Sequence, residues 1–336
     1  MEIFLSMNNP ILYCVWYTHA RRAETLAREL NAKLIFIYEA RLKRFWLKPL
    51  RYILQTWKTW RLLEMERPAF IIVQSPPIFA PLAVALWCKV RGRKRSAYII
   101  DCHPGTFYHR QWRWALPLLR LLARGAVVSL LCNEDAQHFL HRWQARCIFL
   151  PDGLPDLSSY AGDLGSQGEK RIAVISSFAY DEPMVELFEA ARLTPQVRYY
   201  VTGNPARSTP EVLARRPENV VLTGFLHGDA YRGLLHNVQG IVVLATMPYT
   251  LCCGAYEALS LARPTILSDL PEQRRLFAHG FVLVQNEPEE IAKAVEMLLD
   301  DLDNFAQQAQ HLREEYHAFR QPRLEKLISL LEAAAI

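Results

Sequence analysis

The chain has 336 residues, a net charge of +5, 51% hydrophobic residues and 22% charged ones. That composition excludes a disordered chain, and the length is generous for one core, so two domains are expected. Seven cysteines, an odd number with no C-x-x-C pair, exclude a disulfide frame and a zinc site and point to a reducing cytosol.

The charge is divided unevenly. Residues 1–150 hold 23 Lys and Arg against 9 Asp and Glu, whereas 151–336 hold 16 against 25. All eight Trp fall in the basic half. Two halves this different are read as two domains with different partners. The first residues lack a basic region followed by an apolar one, so no signal peptide is expected. Residues 69–88 are uncharged and long enough to span a bilayer, but Gln74-Ser75-Pro76-Pro77 in their middle favours a strand, a turn and a helix.

In chain order, 11–16 (ILYCVW) is a strand, 18–22 its loop and 23–30 a helix. Strands follow at 34–38 and 68–74, then a Pro-rich loop and a helix over 82–91. The strand 97–100 runs into Asp101-Cys102-His103-Pro104-Gly105, and 126–132 and 147–150 close the half. The Pro151-Asp152-Gly153-Leu154-Pro155 run and the Gly, Ser and Asp of 158–170 mark a boundary. Beyond it, strands at 171–176, 197–202, 220–223, 241–245, 264–267 and 281–284 alternate with helices at 186–193, 229–237, from about 255, and 288–302. Residues 304–336 are helical, interrupted near Pro322. Alternation of this kind predicts an α/β fold of two doubly wound parallel sheets, with ligands at the carboxyl ends of the strands.

The stretch 241–269 (IVVLATMPYTLCCGAYEALSLARPTILSD) carries the sharpest signal. An apolar strand enters a helix through a small-residue turn at Cys252, Cys253 and Gly254, an arrangement that presents N–H groups and the positive dipole end to a phosphate. Glu257, in the first turn, can accept hydrogen bonds from hydroxyls; the plainer reading is a carboxylate stabilising the helix dipole.

This stretch resembles the donor-binding signature of GT-B glycosyltransferases, particularly family 4 (group 1). Glu257 matches the second of that signature's two Glu, Leu261-Ala262-Arg263-Pro264 its turn, and Ser268-Asp269 its end. VVLTGF at 220–225 is similar to the family's V-x-L-T-G strand, VTGNP at 201–205 to x-G-x-G-P, and PDGL at 151–154 to the interdomain P-N-G-V. Two departures stand out. Tyr249 occupies the first Glu position, and no base lies near Ser176-Ser177 or Asp181-Glu182-Pro183, where the family holds the donor diphosphate. Arg207, Arg21 or Arg22 is the available substitute.

The resemblance implies two Rossmann-like domains facing across a cleft: 1–155 for the acceptor, 156–303 for a nucleotide-diphosphate sugar, and helices 304–336 crossing back. It implies a hexosyltransferase in which Glu257 binds the ribose, with Gly254, Cys253, Cys252, Tyr249, Asn204, Phe225 and Ser177 around the donor. No metal and no cofactor beyond the nucleotide-sugar substrate are expected, since no Asp-x-Asp occurs. His103 is similar to the first-domain His placed against the donor sugar, with Asp101 beside it; the alternative is a pair capping a turn. His19 with Asp101 would be the general-base dyad of some inverting enzymes, and the competing reading is an ordinary loop His. Without that dyad a retaining route is the more natural.

Residues 41–61 hold seven bases and no acid, interleaved with aromatics. Arg44, Trp46, Lys48, Arg51, Trp57 and Trp60 are therefore read as attachment to an anionic membrane surface, on the inner cytoplasmic face. A solvated basic face is the plainer alternative, and nucleic-acid binding is ranked lower because no recognised module accompanies the stretch. A membrane-bound basic domain suits a glycan or lipid-linked acceptor. Two further functions stay open: a non-catalytic GT-B scaffold, which Tyr249 and the missing bases would fit, and a nucleotide-sugar epimerase.

Overall fold

The computed structural model describes residues 11–39, 44–92, 96–158 and 168–335. Residues 41–43 of the basic stretch, 159–167 of the connection and Ile336 lie outside the described residues. The chain divides into two compact units, Met1–Gly153 with Phe319–Ile336, and Leu154–Ala318. The divisions thus lie at 153/154 and inside the last helix, where the sequence placed them at 155/156 and 303/304.

The first unit runs Ile11–Val15 (β1), Arg21–Glu29 (α1), Lys33–Phe36 (β2), Lys48–Glu66 (α2), Phe70–Ser75 (β3), Phe79–Trp87 (α3), Ala97–Cys102 (β4), Gly105–Tyr108 (α4), Leu116–Gly125 (α5), Ser129–Leu131 (β5), Gln137–Arg142 (α6) and Cys147–Phe149 (β6). Its six strands pair in parallel in the order β2-β1-β3-β4-β5-β6. Both faces are covered, so β1 and β3 are almost wholly apolar. The reading of 69–88 as strand, turn and helix holds: β3 ends at Ser75, two cis X-Pro bonds follow at Pro76 and Pro77, and α3 begins at Phe79. No helix among the described residues is long and apolar enough to cross a membrane.

The helix α2 is unusual in what it buries. Its inward residues are Gln55, Thr59 and Leu63, while Leu50, Ile53 and Trp57 face solvent. The polar inward groups are held by specific bonds: Gln55 Nε2 donates to the Ile37 carbonyl at 2.7 Å, and Trp16 Nε1 donates to Thr59 Oγ1 at 2.8 Å.

The second unit runs Lys170–Val174 (β7), Met184–Leu193 (α7), Val197–Thr202 (β8), Pro210–Leu213 (α8), Val220–Gly224 (β9), Gly228–His236 (α9), Gly240–Val243 (β10), Cys253–Ser260 (α10), Thr265–Ser268 (β11), Pro271–Phe277 (α11), Val282–Val284 (β12) and Pro288–Asp300 (α12). Its strands, also all parallel, order β12-β11-β10-β7-β8-β9. The order reverses beside β7, so the carboxyl ends of β7 and β10 flank a topological switch point, where such sheets bind ligands.

The last helix, Leu302–Ala335 (α13), is continuous through Pro322, contrary to the expected break. Proline cannot supply the N–H of its own turn and crowds the carbonyl four residues back. Here the Arg323 guanidinium donates to the Phe319 carbonyl at 2.5 Å, a side-chain bond on the turn beside the proline. Beyond this point Leu324, Leu327, Ile328 and Leu331 join the core of the first unit with Tyr13 and Leu26. Arg320 adds a two-pronged ion pair to Glu29 at 2.7 Å and a bond to the Pro151 carbonyl at 2.9 Å.

Candidate functional site

Each unit gathers its polar residues at the carboxyl edge of its sheet. In the first unit the centre is Asp101, next to last in β4 and fully buried. Tyr13 donates its hydroxyl to Asp101 Oδ2 at 2.5 Å, and Arg22 Nε donates to Oδ1 at 2.9 Å. Arg22 Nη1 in turn donates to the Leu150 carbonyl and to Asp152, both at 2.8 Å. His103 Nε2 lies 3.4 Å from Asp101 Oδ2, and the His103 side chain is about a quarter exposed, at 27%. Burial alone would raise the Asp101 carboxyl. The Arg22 charge and the His103 and Tyr13 contacts outweigh it and hold the carboxyl well below the usual range. Burial, joined by the Asp101 charge, pushes the Tyr13 hydroxyl up.

This geometry corrects two expectations. Asp101 is fully buried and paired with Arg22, an arrangement that suits positioning better than the expected catalytic role. His19 does not pair with it: His19 is exposed and its Nδ1 meets Glu24 Oε1 at 2.8 Å. The dyad fails because Arg22, the second residue of α1, has taken the place beside Asp101. That commitment also removes Arg22 as a substitute base for a diphosphate. With Nε2 turned to Asp101, His103 presents Nδ1 as its other functional atom.

In the second unit four loops meet. The loop after β8 reaches the loop after β7 at Gly203, whose φ of +96° suits glycine and whose absent Cβ would lie 2.4 Å from the Ser176 carbonyl oxygen. Gly203 N donates to the Gly224 carbonyl after β9 at 3.0 Å, and Thr246 N, after β10, donates to the Asp181 carbonyl at 2.8 Å. Expected donor-site residues sit on these loops. Asn204 is exposed, and its side chain accepts from Ala206 N at 3.1 Å, capping a single turn. Phe225 is 64% exposed and stacks edgewise on His227 with ring centres 4.5 Å apart. Tyr249 is half-buried in the loop before α10.

The helix α10 starts at Cys253, two residues earlier than expected, so Glu257 lies in its second turn rather than its first. Gly254 is there for packing: a Cβ would stand 2.9 Å from Ile175 Cγ2 and 3.1 Å from Val243 Cγ2. Its absence lets the helix start lie directly on the ends of β7 and β10. Cys252 is the N-cap and makes no side-chain cap bond; Cys253 is exposed. Burial, with Glu182 and Asp181 adding to it, pushes the Cys252 thiol up to about 12, so it is no nucleophile at neutral pH. Glu257 is buried, at 5% exposure, and its Oε2 accepts the Tyr231 hydroxyl of α9 at 2.5 Å.

The loop where diphosphate bases were missed contains something else. The Glu182 carboxylate accepts from Ser176 Oγ at 2.5 Å, Ser177 N at 3.0 Å, Ser177 Oγ at 2.9 Å and Ala179 N at 3.3 Å. Ser177 is thereby engaged by an internal anion. Sequence reading missed Tyr13, Tyr231 and the role of Glu182. Only the odd position of an acid in a base's place hinted at the last.

The membrane stretch divides. Trp46 and Trp57 are 69% and 52% exposed, with the Arg44 and Arg61 guanidinium groups over their respective rings at 5.6 and 4.9 Å. Trp60 instead packs against the core, because it lies one position from the buried Thr59. Lys48 and Arg51 turn into a cavity of the first unit.

Comparison with known proteins agrees with this architecture. The family described as glycosyl transferases group 1 matches residues 169–301. The fold is similar to that of Anabaena HepE, crystallised with UDP and glucose, with TM-score 0.70 and 14% identity over 96% of this chain and 100% of that one. It is similar to a glycosyltransferase from Rickettsia africae, with TM-score 0.68 and 11% identity over 97% and 99%. It also resembles sucrose-phosphate synthase from Thermosynechococcus elongatus, with TM-score 0.70 and 12% identity over 96% and 98%. No curated protein matches by sequence.

Proposed function

We propose that this chain, whose residues 169–301 match the family of group 1 glycosyl transferases and whose fold is GT-B, is a glycosyltransferase that takes a nucleotide-diphosphate sugar as donor and a glycan or lipid-linked acceptor, at the cytoplasmic membrane face and with retention. The observation that carries the donor assignment is the pairing of an uncapped helix start at Cys252–Cys253 with the Glu257 carboxylate one turn on. The helix start offers N–H groups to a diphosphate, and Glu257 offers an acceptor to ribose hydroxyls. Its partners include the neutral Tyr231 hydroxyl, which a ligand hydroxyl can replace without separating charges. Structures of this fold bind related ligands, as the UDP and glucose of HepE illustrate for that protein.

The first unit serves the acceptor and supplies His103, oriented by Asp101, to the reacting sugar. Retention is supported by the loss of the His19–Asp101 pair, which removes the general base an inverting route requires. Membrane attachment is supported by Trp46, Leu50, Ile53 and Trp57, exposed at helical spacing and accompanied by Arg44 and Arg61.

Calorimetry with a panel of nucleoside diphosphates is the test. Binding of one of them, weakened by Glu257→Ala, is expected; binding of none would sink the donor assignment. One observation favours a second reading, a non-catalytic scaffold of the same fold: Glu182 fills the loop that the family uses for phosphate. The same titration separates the two, since a scaffold without donor binding gives no heat with any nucleotide.

A further inference from the structure

At the carboxyl ends of β1 and β3 the first unit has a cavity of about 260 Å³. Its lining combines Lys48 and Arg51 of α2 with Gln55, Gln74, Tyr52 and Trp112, and among the described residues no acidic one lines it. Three polar atoms there are buried and have no hydrogen-bond partner: Arg51 Nε, Gln55 Oε1 and Gln74 Oε1. The Gln55 side chain is 1% exposed, and its amide nitrogen is already spent on the Ile37 carbonyl. Buried groups without partners are costly, so three beside one cavity ask for a ligand. That ligand must donate to two amide oxygens and accept from a guanidinium. Hydroxyls do the first, and an oxyanion does the second best.

The rings restrict it further. Arg51 lies over Tyr38 and Tyr52, with its guanidinium carbon 5.9 and 5.3 Å from their ring centres, so its plane is held in place. Trp112 and Tyr52 offer apolar faces at the cavity wall, and Tyr52 is itself braced edge-on by Trp112 at 6.4 Å. A pyranose has hydroxyls around its rim and C–H groups on its faces, which matches that wall.

We infer that this cavity is the acceptor site and that it takes a saccharide carrying an oxyanion, either a uronic acid or a sugar phosphate. The assignment rests on the transferase reading for the word acceptor, but the binding itself does not need a donor. Lys48 and Arg51 face the oxyanion, Gln55 and Gln74 accept from ring hydroxyls, and Trp112 covers a ring face. The basic charge of α2 is thus shared between an outer surface and a specific pocket, and two residues read from sequence as membrane-binding belong to the pocket.

The test uses the full-length protein without nucleotide and measures binding of methyl glucuronide, glucose 1-phosphate and methyl glucoside by saturation-transfer NMR and calorimetry. One or both acids are expected to bind about tenfold tighter than the neutral sugar, the scale of one charge-assisted contact. The tighter of the two acids identifies the oxyanion. Arg51→Leu should shrink the preference to below about threefold, and Gln74→Glu, which puts a like charge beside the oxyanion, should abolish acid binding while sparing the neutral sugar. Should Arg51→Leu fail to fold, Gln74→Glu decides. Equal binding of acid and neutral sugars, or no binding of any, overturns the inference. So does binding of phosphatidylglycerol vesicles that Arg51→Leu abolishes while the saccharides stay unbound. Failure of the transferase reading would show separately, as absent nucleotide binding with saccharide binding intact.

Discussion

The carboxylates of the two units are held in opposite ways. Asp101 in the first unit is bound to a buried cation, Arg22, which is itself tied to Asp152. Glu257 and Glu182 in the second accept from neutral donors: a tyrosine hydroxyl, serine hydroxyls and backbone N–H groups. An ion pair sealed from water cannot be traded for a ligand without stranding a charge. A carboxylate held by hydroxyls can exchange one hydroxyl for another at little cost. The first arrangement is architecture beside His103, and the second is compatible with the proposed binding of a sugar or ribose hydroxyl.

The largest expected effect breaks the fixed side of this contrast. Asp101→Ala leaves Arg22 buried without its partner and should destabilise the first unit by about 3–5 kcal/mol, read from the midpoint of urea unfolding. The pH dependence follows from the depressed Asp101 carboxyl. Its contribution is fully present above the unfolded value near 3.8 and is lost as pH falls toward the lower folded value. The stability gap between wild type and Asp101→Asn should therefore be constant near neutrality and narrow below about pH 4. A gap that stayed constant into strong acid would show that the ion pair is not what stabilises the fold.

The exchangeable side is probed next. Glu257→Ala should weaken nucleoside diphosphate binding by about tenfold or more, the scale of hydrogen bonds to a charged acceptor. Tyr231→Phe, which leaves the carboxylate in place, should change that affinity by less than about threefold while costing about 1 kcal/mol of stability. If Tyr231→Phe weakened binding as much as Glu257→Ala, the pair would be a fixed unit like Asp101 and Arg22. Gly254→Ala tests the seat of α10. The added methyl meets Ile175 and Val243 and should cost about 1–3 kcal/mol, with donor affinity falling alongside.

The smallest expected effect concerns Glu182. Glu182→Gln removes an anion from the loops beside α10 and should raise nucleoside diphosphate affinity severalfold, since a charge near the surface contributes about 0.2–1 kcal/mol. An unchanged affinity would place the diphosphate elsewhere.

Much of the second unit was legible residue by residue. Parallel strands buried on both faces are continuous apolar runs, and IVV before a small-residue turn announced β10, the turn and α10 together. The start of α10 was misread by two residues because its cause is Gly254 fitting against Ile175, a contact between elements far apart in the chain. The first unit was less legible at its site. Asp101 and His103 were visible at a strand end, but nothing in sequence ranks Arg22 above His19 as the partner of Asp101. The difference is that Arg22 lies in the first turn of α1 and reaches Asp101, while His19, in the loop before α1, meets Glu24.

The basic aromatic stretch shows the same division. Its composition alone marked it for anionic ligands, because charge and aromatic content are properties of a segment. Which residues meet a surface and which meet a pocket depends on rotation about the α2 axis. That rotation is set by Gln55 bonding to Ile37 and Thr59 accepting from Trp16. The sequence by itself determined two parallel α/β units, their opposite charge and the small-residue turn between β10 and α10, all of which follow from local periodicity and composition. Tertiary structure alone decided which carboxylate is sealed and which can exchange partners, because burial and pairing arise only when distant residues are brought within hydrogen-bond reach.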